Sequence, residues 1–131
     1  GRVLLNHLNS KMETRNQANQ IFEEYNQGKR HFTDLDLNNE SFDGLDLEGI
    51  IFENCFLYSS FRKTNLRNAR FINGNIKTCD FSEADLRNAH FENLSVEAAI
   101  FSDAQTEGMV FINNWCYGKM LMQADFEAFR K

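Results

Sequence analysis

The sequence predicts an all-β solenoid, a four-sided coil of about four turns closed at its start by a helix. Three observations carry this. Phe or an aliphatic residue returns every five residues over some eighty positions, the two kinds alternating. Small or apolar residues recur two places before each of these centres, polar ones recur one place before, and Asn or Gly is frequent two places after. Outward charges of opposite sign recur one coil apart. A fixed short period marks a repeat architecture whose units bury their apolar faces only by stacking.

The opening segment, residues 1–29, reads as a helical leader and cap. Ala18, Ile21, Phe22 and Tyr25 share one helical face, and Gly28 supplies a stop. Val3, Leu4, Leu5 and Leu8 suggest a further short helix over 2–9, and Ser10 to Glu13 has capping-box spacing. Such a cap is needed because an open column end exposes apolar rungs and unpaired backbone.

Residues 30–113 form the repeat body. The centres are Phe32, Leu37, Phe42, Leu47, Phe52 and Leu57. After one lost residue they continue as Phe61, Leu66, Phe71, Ile76, Phe81, Leu86, Phe91, Val96, Phe101, Thr106 and Phe111. The alternation around each centre is that of a very short strand, and the Asn and Gly positions form corners. With three sides per coil every Phe would lie over an aliphatic residue, and two sides could hardly enclose facing rings. Four sides place like on like. One wall then stacks Phe32, Phe52, Phe71, Phe91 and Phe111, and the opposite wall stacks Phe42, Phe61, Phe81 and Phe101. The aliphatic ladders are Leu37, Leu57, Ile76, Val96 and Leu47, Leu66, Leu86, the latter ending in Thr106. The lost residue between Leu57 and Phe61 is a tightened corner, so partners across it stand 19 apart. In this register Glu48 falls on Arg67, Asp43 on Arg62, Lys77 on Glu97 and Arg87 on Glu107; only Arg67 over Arg87 sets like charges together.

Residues 114–131 read as a C-terminal cap with two versions open. Cys116, Leu121 and Phe126 keep the five-residue phase of a last degenerate coil, although Asn114 and Lys119 would then point inward. The other version is a short amphipathic helix over about 119–130 using Met122, Phe126 and Phe129. Glu40 at an inward position also departs from the pattern.

These residues resemble the pentapeptide-repeat family, whose consensus is A(D/N)LXX. Ala84-Asp85-Leu86-Arg87-Asn88 and Ala124-Asp125-Phe126-Glu127-Ala128 follow it, with Asp34-Leu35-Asp36-Leu37 and Gly44-Leu45-Asp46-Leu47 close behind. The resemblance spans about residues 30–113 and implies a right-handed quadrilateral β-helix, here of about four coils. The segment around Asn19 to Gly28 likewise looks like the helix that precedes the first coil in many members.

Composition narrows the function. The 131 residues carry net charge −5, and residues 30–113 hold 14 acids against 7 bases. Direct nucleic-acid binding is disfavoured, since it needs clustered Lys and Arg; a cationic protein surface fits better. No apolar run reaches the roughly 20 residues of a membrane helix, and Val3-Leu4-Leu5 is too short for an export signal. Cys55, Cys79 and Cys116 are odd in number and widely spaced, which argues against a disulfide framework and for a reducing, cytoplasmic setting. No catalytic, cofactor or metal site is expected. His31 and His90 lie three rungs apart, His7 lacks a partner at ligand spacing, and no base neighbours the cysteines.

What remains is surface. An apolar outward group on one Phe wall, Ile51, Ile72, Val110 and Ile112 with Phe56 and Trp115 beyond, is a candidate protein interface. The first coil gathers Asp34, Asp36, Glu40, Asp43, Asp46, Glu48 and Glu53 as an acidic patch. The reading is a non-enzymatic, rigid protein–protein interaction scaffold with an unidentified protein partner, homodimerisation being one form of it. The alternative, implied by the family resemblance, is an acidic DNA mimic that binds a DNA-handling protein such as gyrase. A column of ~20 Å matches only about six base pairs at ~3.4 Å each, and Arg62, Lys63, Arg67, Arg70 and Lys77 interrupt the acidic surface.

Overall fold

The backbone climbs as a parallel β-solenoid of about four turns behind an N-terminal helix. The computed structural model describes residues 17–131; the expected helix over 2–9, the capping-box spacing at 10–13 and His7 lie outside them. Helix α1 (Gln17–Asn26) comes first, then strands β1 (His31–Thr33), β2 (Ile51–Glu53), β3 (Arg70–Asn75), β4 (His90–Ser95) and β5 (Val110–Ile112) on one wall. A hairpin of β6 (Asn114–Cys116) and β7 (Lys119–Leu121), a 3-10 turn (Gln123–Asp125) and a single helical turn α2 (Phe126–Phe129) close the chain.

The register is the four-sided one. Phe32 pairs with Phe52, Phe52 with Phe71, Phe71 with Phe91 and Phe91 with Phe111, all in parallel. The tightened corner falls where the lost residue places it. Asp36 bridges Phe56 at 20 residues, Ser41 bridges Ser60 at 19, and Ser60 bridges Asp80 at 20 again. Tyr58 turns that corner at φ 27°.

All nine ladder Phe side chains are buried to within a few per cent. Within the columns, Phe42 and Phe61 stack at 4.7 Å and Phe71 and Phe91 at 4.7 Å. Between columns the rings meet edge to face: Phe61 on Phe71 at 5.9 Å, Phe71 on Phe81 at 5.5 Å, Phe81 on Phe91 at 5.5 Å. Offset and edge-to-face contacts suit the ring quadrupole and add to area burial. The two columns therefore interdigitate as one aromatic zipper.

Most corners of the repeat body are made by a left-handed residue two places after a centre. Asn39, Gly44, Gly49, Asn54, Asn68, Asn73, Asn88, Asn93, Gly108 and Asn113 all have φ between 54° and 74°. One corner is Asx in every coil: Asp34, Asn54, Asn73, Asn93 and Asn113. Asn54 Nδ2 donates to Asp34 Oδ1 at 2.6 Å, and Asn93 Nδ2 donates to Asn73 Oδ1 at 2.9 Å. Lys63, Thr78, Glu83 and Ala98 take the same left-handed geometry, at φ 55–61°, without an Asx or Gly to ease it. Gly108 is fixed by space as well, since a Cβ there would collide with Asn88 Oδ1.

The caps explain the irregular residues. Ala18, Ile21 and Tyr25 of α1 are buried against the first coil, with Phe22 partly so. Glu40 is not a misplaced core residue: its Oε1 accepts the Ala18 N–H at 2.8 Å, satisfying an orphan donor in the first turn of α1. Tyr25 Oη donates to Glu48 O at 2.6 Å, and the Arg30 guanidinium covers the Tyr25 ring at 3.7 Å.

Neither C-terminal expectation describes the observed cap fully. Asn114 does point inward and is fully buried, with Oδ1 accepting from Leu94 N at 3.0 Å and Nδ2 donating to Phe91 O at 3.1 Å. The backbone then reverses at Tyr117-Gly118, where both residues have positive φ (49° and 80°), as a two-residue hairpin turn requires. The helix is confined to Phe126–Phe129, and Met122 faces outward instead of joining its buried side.

Two expected outcomes follow from the core and the corners. Phe71→Ala removes the ring that touches both columns, and the loss read by denaturant unfolding should be about 3–5 kcal/mol. Thr78→Asn should raise stability by about 1 kcal/mol, because a β-branched residue is the poorest occupant of a left-handed corner.

Candidate interaction surface

Outward residues form vertical columns whose order follows from strand register. On the β1–β5 wall one column reads His31, Ile51, Arg70, His90, Val110, and the other reads Thr33, Glu53, Ile72, Glu92, Ile112. The expected apolar face is thus not continuous. Ile51 and Ile72 sit diagonally across from each other, each flanked above and below by polar or charged residues, while Val110 and Ile112 share the last rung. Phe56 lies on the neighbouring wall, between Asp36 above and Asn75 below, and packs against Tyr58 at 6.4 Å. Trp115 ends that same column, through Asn75 and Ser95.

Exposed apolar surface concentrates elsewhere. Among the described residues the large exposed apolar side chains are Phe56, Ile100, Trp115, Tyr117, Met120 and Met122. Four of these six lie on or beside the β6–β7 hairpin. Trp115 (43% exposed) pairs across the strands with Met120, and Tyr117 (80% exposed) stands at the tip. Only Trp115 is evident as a surface residue from the five-residue pattern. The signal for the others was the Tyr117-Gly118 step between Trp115-Cys116 and Lys119-Met120, a two-residue hairpin loop ending in Gly.

Six of the seven first-coil carboxylates are held by neighbours. Asp34 accepts from Asn54, Glu40 from α1, Asp46 from Asn65 at 2.9 Å, and Glu53 contacts His31 Nε2 at 2.7 Å. Asp43 Oδ1 accepts from the Ser60 hydroxyl at 2.6 Å and the Arg62 backbone N–H at 2.8 Å. Glu48 meets Arg67 at 2.6 Å, as the register requires. The Arg62 guanidinium instead turns to Asp80 at 3.2 Å and Glu83 at 3.6 Å. The stacked arginines are relieved by a carboxylate outside the expected ladder. Asp85 lies 2.6 Å from Arg87 Nη2 and 3.8 Å from Arg67 Nε. Glu97 is taken by the hairpin, its Oε1 accepting from Tyr117 N at 3.1 Å. A shallow groove of about 250 Å³ runs between Glu48, Arg67, Asn68, Arg87 and Asn88; Glu48 pairs with Arg67, and Asp85, outside the lining, pairs with Arg87.

The Arg87 hydrogen bonds hold the Asp85 carboxyl below the usual range, against some burial. Partial burial pushes Asp80 up, but the Ser82 hydrogen bonds and Arg62 outweigh it and hold that carboxyl low. Both groups therefore stabilise the fold above the ordinary Asp pKa of about 3.9 and lose that contribution as acid protonates them.

The histidines do not converge. His31 pairs with Glu53, and His90 Nε2 lies 2.6 Å from Glu92 Oε1. Among the described residues no three His, Cys, Asp or Glu side chains are placed to hold a metal ion, and no helix is long and apolar enough to cross a membrane. Burial pushes the Cys79 thiol up to about 12 and also raises Cys55 and, with help from Glu97, Cys116. Only Cys116 is partly open to solvent. Native protein treated with a thiol reagent at a pH of about 8 should modify Cys116 alone, and denaturant should release the other two.

Comparison with other proteins bears on this geometry in three ways. The sequence profile described as the pentapeptide repeat region matches residues 47–116. No curated protein matches the chain in sequence. Among solved structures, QnrB1, a plasmid-mediated fluoroquinolone resistance protein solved in a trypsin-treated form, superposes with TM-score 0.56 at 18% identity. The match covers 65% of this chain and 47% of that one. HetL, involved in heterocyst differentiation regulation in the cyanobacterium Nostoc sp. strain PCC 7120, gives TM-score 0.44 at 24% identity over 72% of this chain and 38% of its own. This chain thus spans less than half the length of either. At 18% identity the likeness to QnrB1 speaks for the fold alone. With the family profile covering more than half of a column whose every coil turns on the five-residue unit, the chain belongs to the pentapeptide-repeat family.

Proposed function

We propose that the chain is a rigid protein-binding module whose docking surface is the C-terminal hairpin rather than a wall of the column. The observation that carries this is the gathering of Trp115, Tyr117, Met120 and Met122 on eight consecutive residues while the walls expose apolar side chains singly. Scattered exposed apolar residues are ordinary, whereas a contiguous group marks an interaction site. The solenoid contributes stiffness: a hairpin of three-residue strands has little stability alone, but here β6 is anchored through Asn114 to the Leu94 and Phe91 backbone. Aromatic side chains at the tip offer large contact area at small entropy cost.

Net charge supports a second reading, an acidic stand-in for DNA on a DNA-handling protein such as gyrase. It is weaker, because six of the seven first-coil carboxylates already accept hydrogen bonds or pair with a basic side chain within the column.

Capture from cells of the source organism distinguishes hairpin from wall. Wild-type chain, Trp115→Ser/Tyr117→Ser and Ile51→Asp/Ile72→Asp are compared as immobilised baits. The hairpin variant should lose at least about tenfold of the bound partner, roughly 1.4 kcal/mol, and the wall variant should retain it. Equal capture by all three baits would reject the hairpin. Trp115 is the only Trp, so its emission should shift to the blue on binding.

A further inference from the structure

The wall next to the β1–β5 wall carries one outward column whose order follows from its pairings: Asp36, Phe56, Asn75, Ser95 and Trp115. Met120, paired with Trp115 across the hairpin, extends that column by one strand. Apolar side chains thus stand at both ends of a single wall, three rungs or ~14 Å apart, with polar rungs between. At the upper end the Phe56 ring is half exposed and lies beside Tyr58, the two rings 13° from parallel. The strip between the ends holds an uncompensated cation. Lys77 stands one rung below Tyr58 in the same register and, among the described residues, has no carboxylate at ion-pair distance. Glu97, the next rung down, gives its Oε1 to Tyr117 N instead.

This wall offers a partner no backbone. Leu57 N donates to Asn75 O at 3.0 Å, Ile76 N to Ser95 O at 2.9 Å and Val96 N to Trp115 O at 2.9 Å, all between stacked coils. A strand laid across the face would gain no ladder bonds and would leave its own polar backbone unserved. An occupant must therefore satisfy its backbone internally, as an α-helix does while presenting one stripe of side chains. The helical repeat also fits the wall, with turns rising ~5.4 Å against ~4.8 Å per rung. A helix residue i on Phe56 and Tyr58 sets i+4, ~6 Å on, beside Lys77. Residue i+11, ~16.5 Å on, then falls between Trp115 and Met120, which stand ~14 and ~19 Å down the column.

We propose that this wall, from Phe56 to the hairpin, is the seat of an amphipathic helix from a protein partner, apolar at i and i+11 and acidic at i+3 or i+4. The inference rests on the hairpin reading and adds to it a second anchor and the form of the partner. Phe56 with Tyr58, and Trp115 with Met120, receive the two apolar residues, and Lys77 pairs with the acid. Because the column is rigid, the two anchors act as a ruler that rejects helices with another spacing. Asp36, one rung above Phe56, favours the positive N-terminal end of the helix there and so sets its direction.

Selection of a phage-displayed library of helical peptides on the immobilised whole chain tests this, followed by fluorescence anisotropy with the enriched peptides. These should carry apolar residues at i and i+11 with Asp or Glu at i+3 or i+4. Trp115→Ser/Tyr117→Ser and, separately, Phe56→Ser should each weaken their binding about tenfold or more. Lys77→Glu should weaken it about threefold, the scale of an exposed ion pair. A peptide with Lys in place of its acid should recover that loss on Lys77→Glu and not on wild type. All these substitutions alter outward side chains, so β circular dichroism should stay native. Peptides that need Trp115 and Tyr117 yet bind Phe56→Ser or Lys77→Glu as tightly as wild type overturn the helix seat and leave the hairpin standing. Peptides indifferent to Trp115 and Tyr117 overturn both. An enriched set without this spacing, or no enrichment at all, likewise overturns the seat.

Discussion

Edge-to-face packing between the two Phe columns is the constraint on which the rest of this structure depends. Phe71 shows why: it stacks on Phe91 within its own column and meets Phe61 and Phe81 edge-on across the interior. That mesh fixes the height of each layer against the opposite wall, so a slip of one coil on one side would break contacts on both. The five-residue period follows, because each Phe must return to the same wall after four corners. Corners that tight demand a left-handed residue, and the backbone supplies one even where the side chain is unsuited, as at Thr78. Core packing overrides local preference there, a common outcome when propensity and tertiary contact conflict.

The body of the fold was legible in the sequence because its information is periodic. The four-sided register, the shift from 20 to 19 residues at Leu57 to Phe61, and the buried face of α1 all follow from spacing alone, and each agrees with the observed pairing. The end of the column was less legible for a physical reason. Cys116, Leu121 and Phe126 keep the five-residue phase, and Leu121 and Phe126 are buried, yet Cys116 and Leu121 stand on the two strands of an antiparallel hairpin and Phe126 follows a 3-10 turn. Phase reports which side chains seek the core, and an antiparallel hairpin can deliver the same residues as a further coil. Asn114, the residue that looked misplaced, is what permits the change: its side chain replaces backbone partners as the chain leaves the repeat.

The candidate surface was legible only in part, and charge explains much of the difference. Vertical stacking predicts Glu48 on Arg67 and that contact forms. The same rule cannot see that Asp85, one column over, reaches both Arg67 and Arg87, because a guanidinium spans the width of a strand as easily as the height of a coil. Outward apolar residues that share a wall are not contiguous for a related reason. Ile51, Ile72, Val110 and Ile112 share a wall, but sharing a wall leaves Arg70, His90, Glu53 and Glu92 between them. Adjacency on a solenoid is set by column and rung together.

The two ends of the column solve one problem by opposite means, and that contrast bears on the proposed hairpin site. Helix α1 lies over the first coil with three buried side chains, a carboxylate on its first turn and a Tyr hydroxyl on the Glu48 carbonyl. Its outer face is polar, so it ends the column and offers little else. The C-terminal end uses its residues differently. A four-residue helical turn seals the edge, with Arg130 on the Phe101 and Ala104 carbonyls and Gln123 on the Phe111 N–H, which leaves the hairpin free to project Trp115, Tyr117 and Met120 beyond the wall. Nothing in sealing a β-edge requires exposed aromatic residues; a polar tip would serve and would cost less in hydration. Their presence on a rigidly anchored turn is therefore better explained by contact with another molecule than by closure of this one.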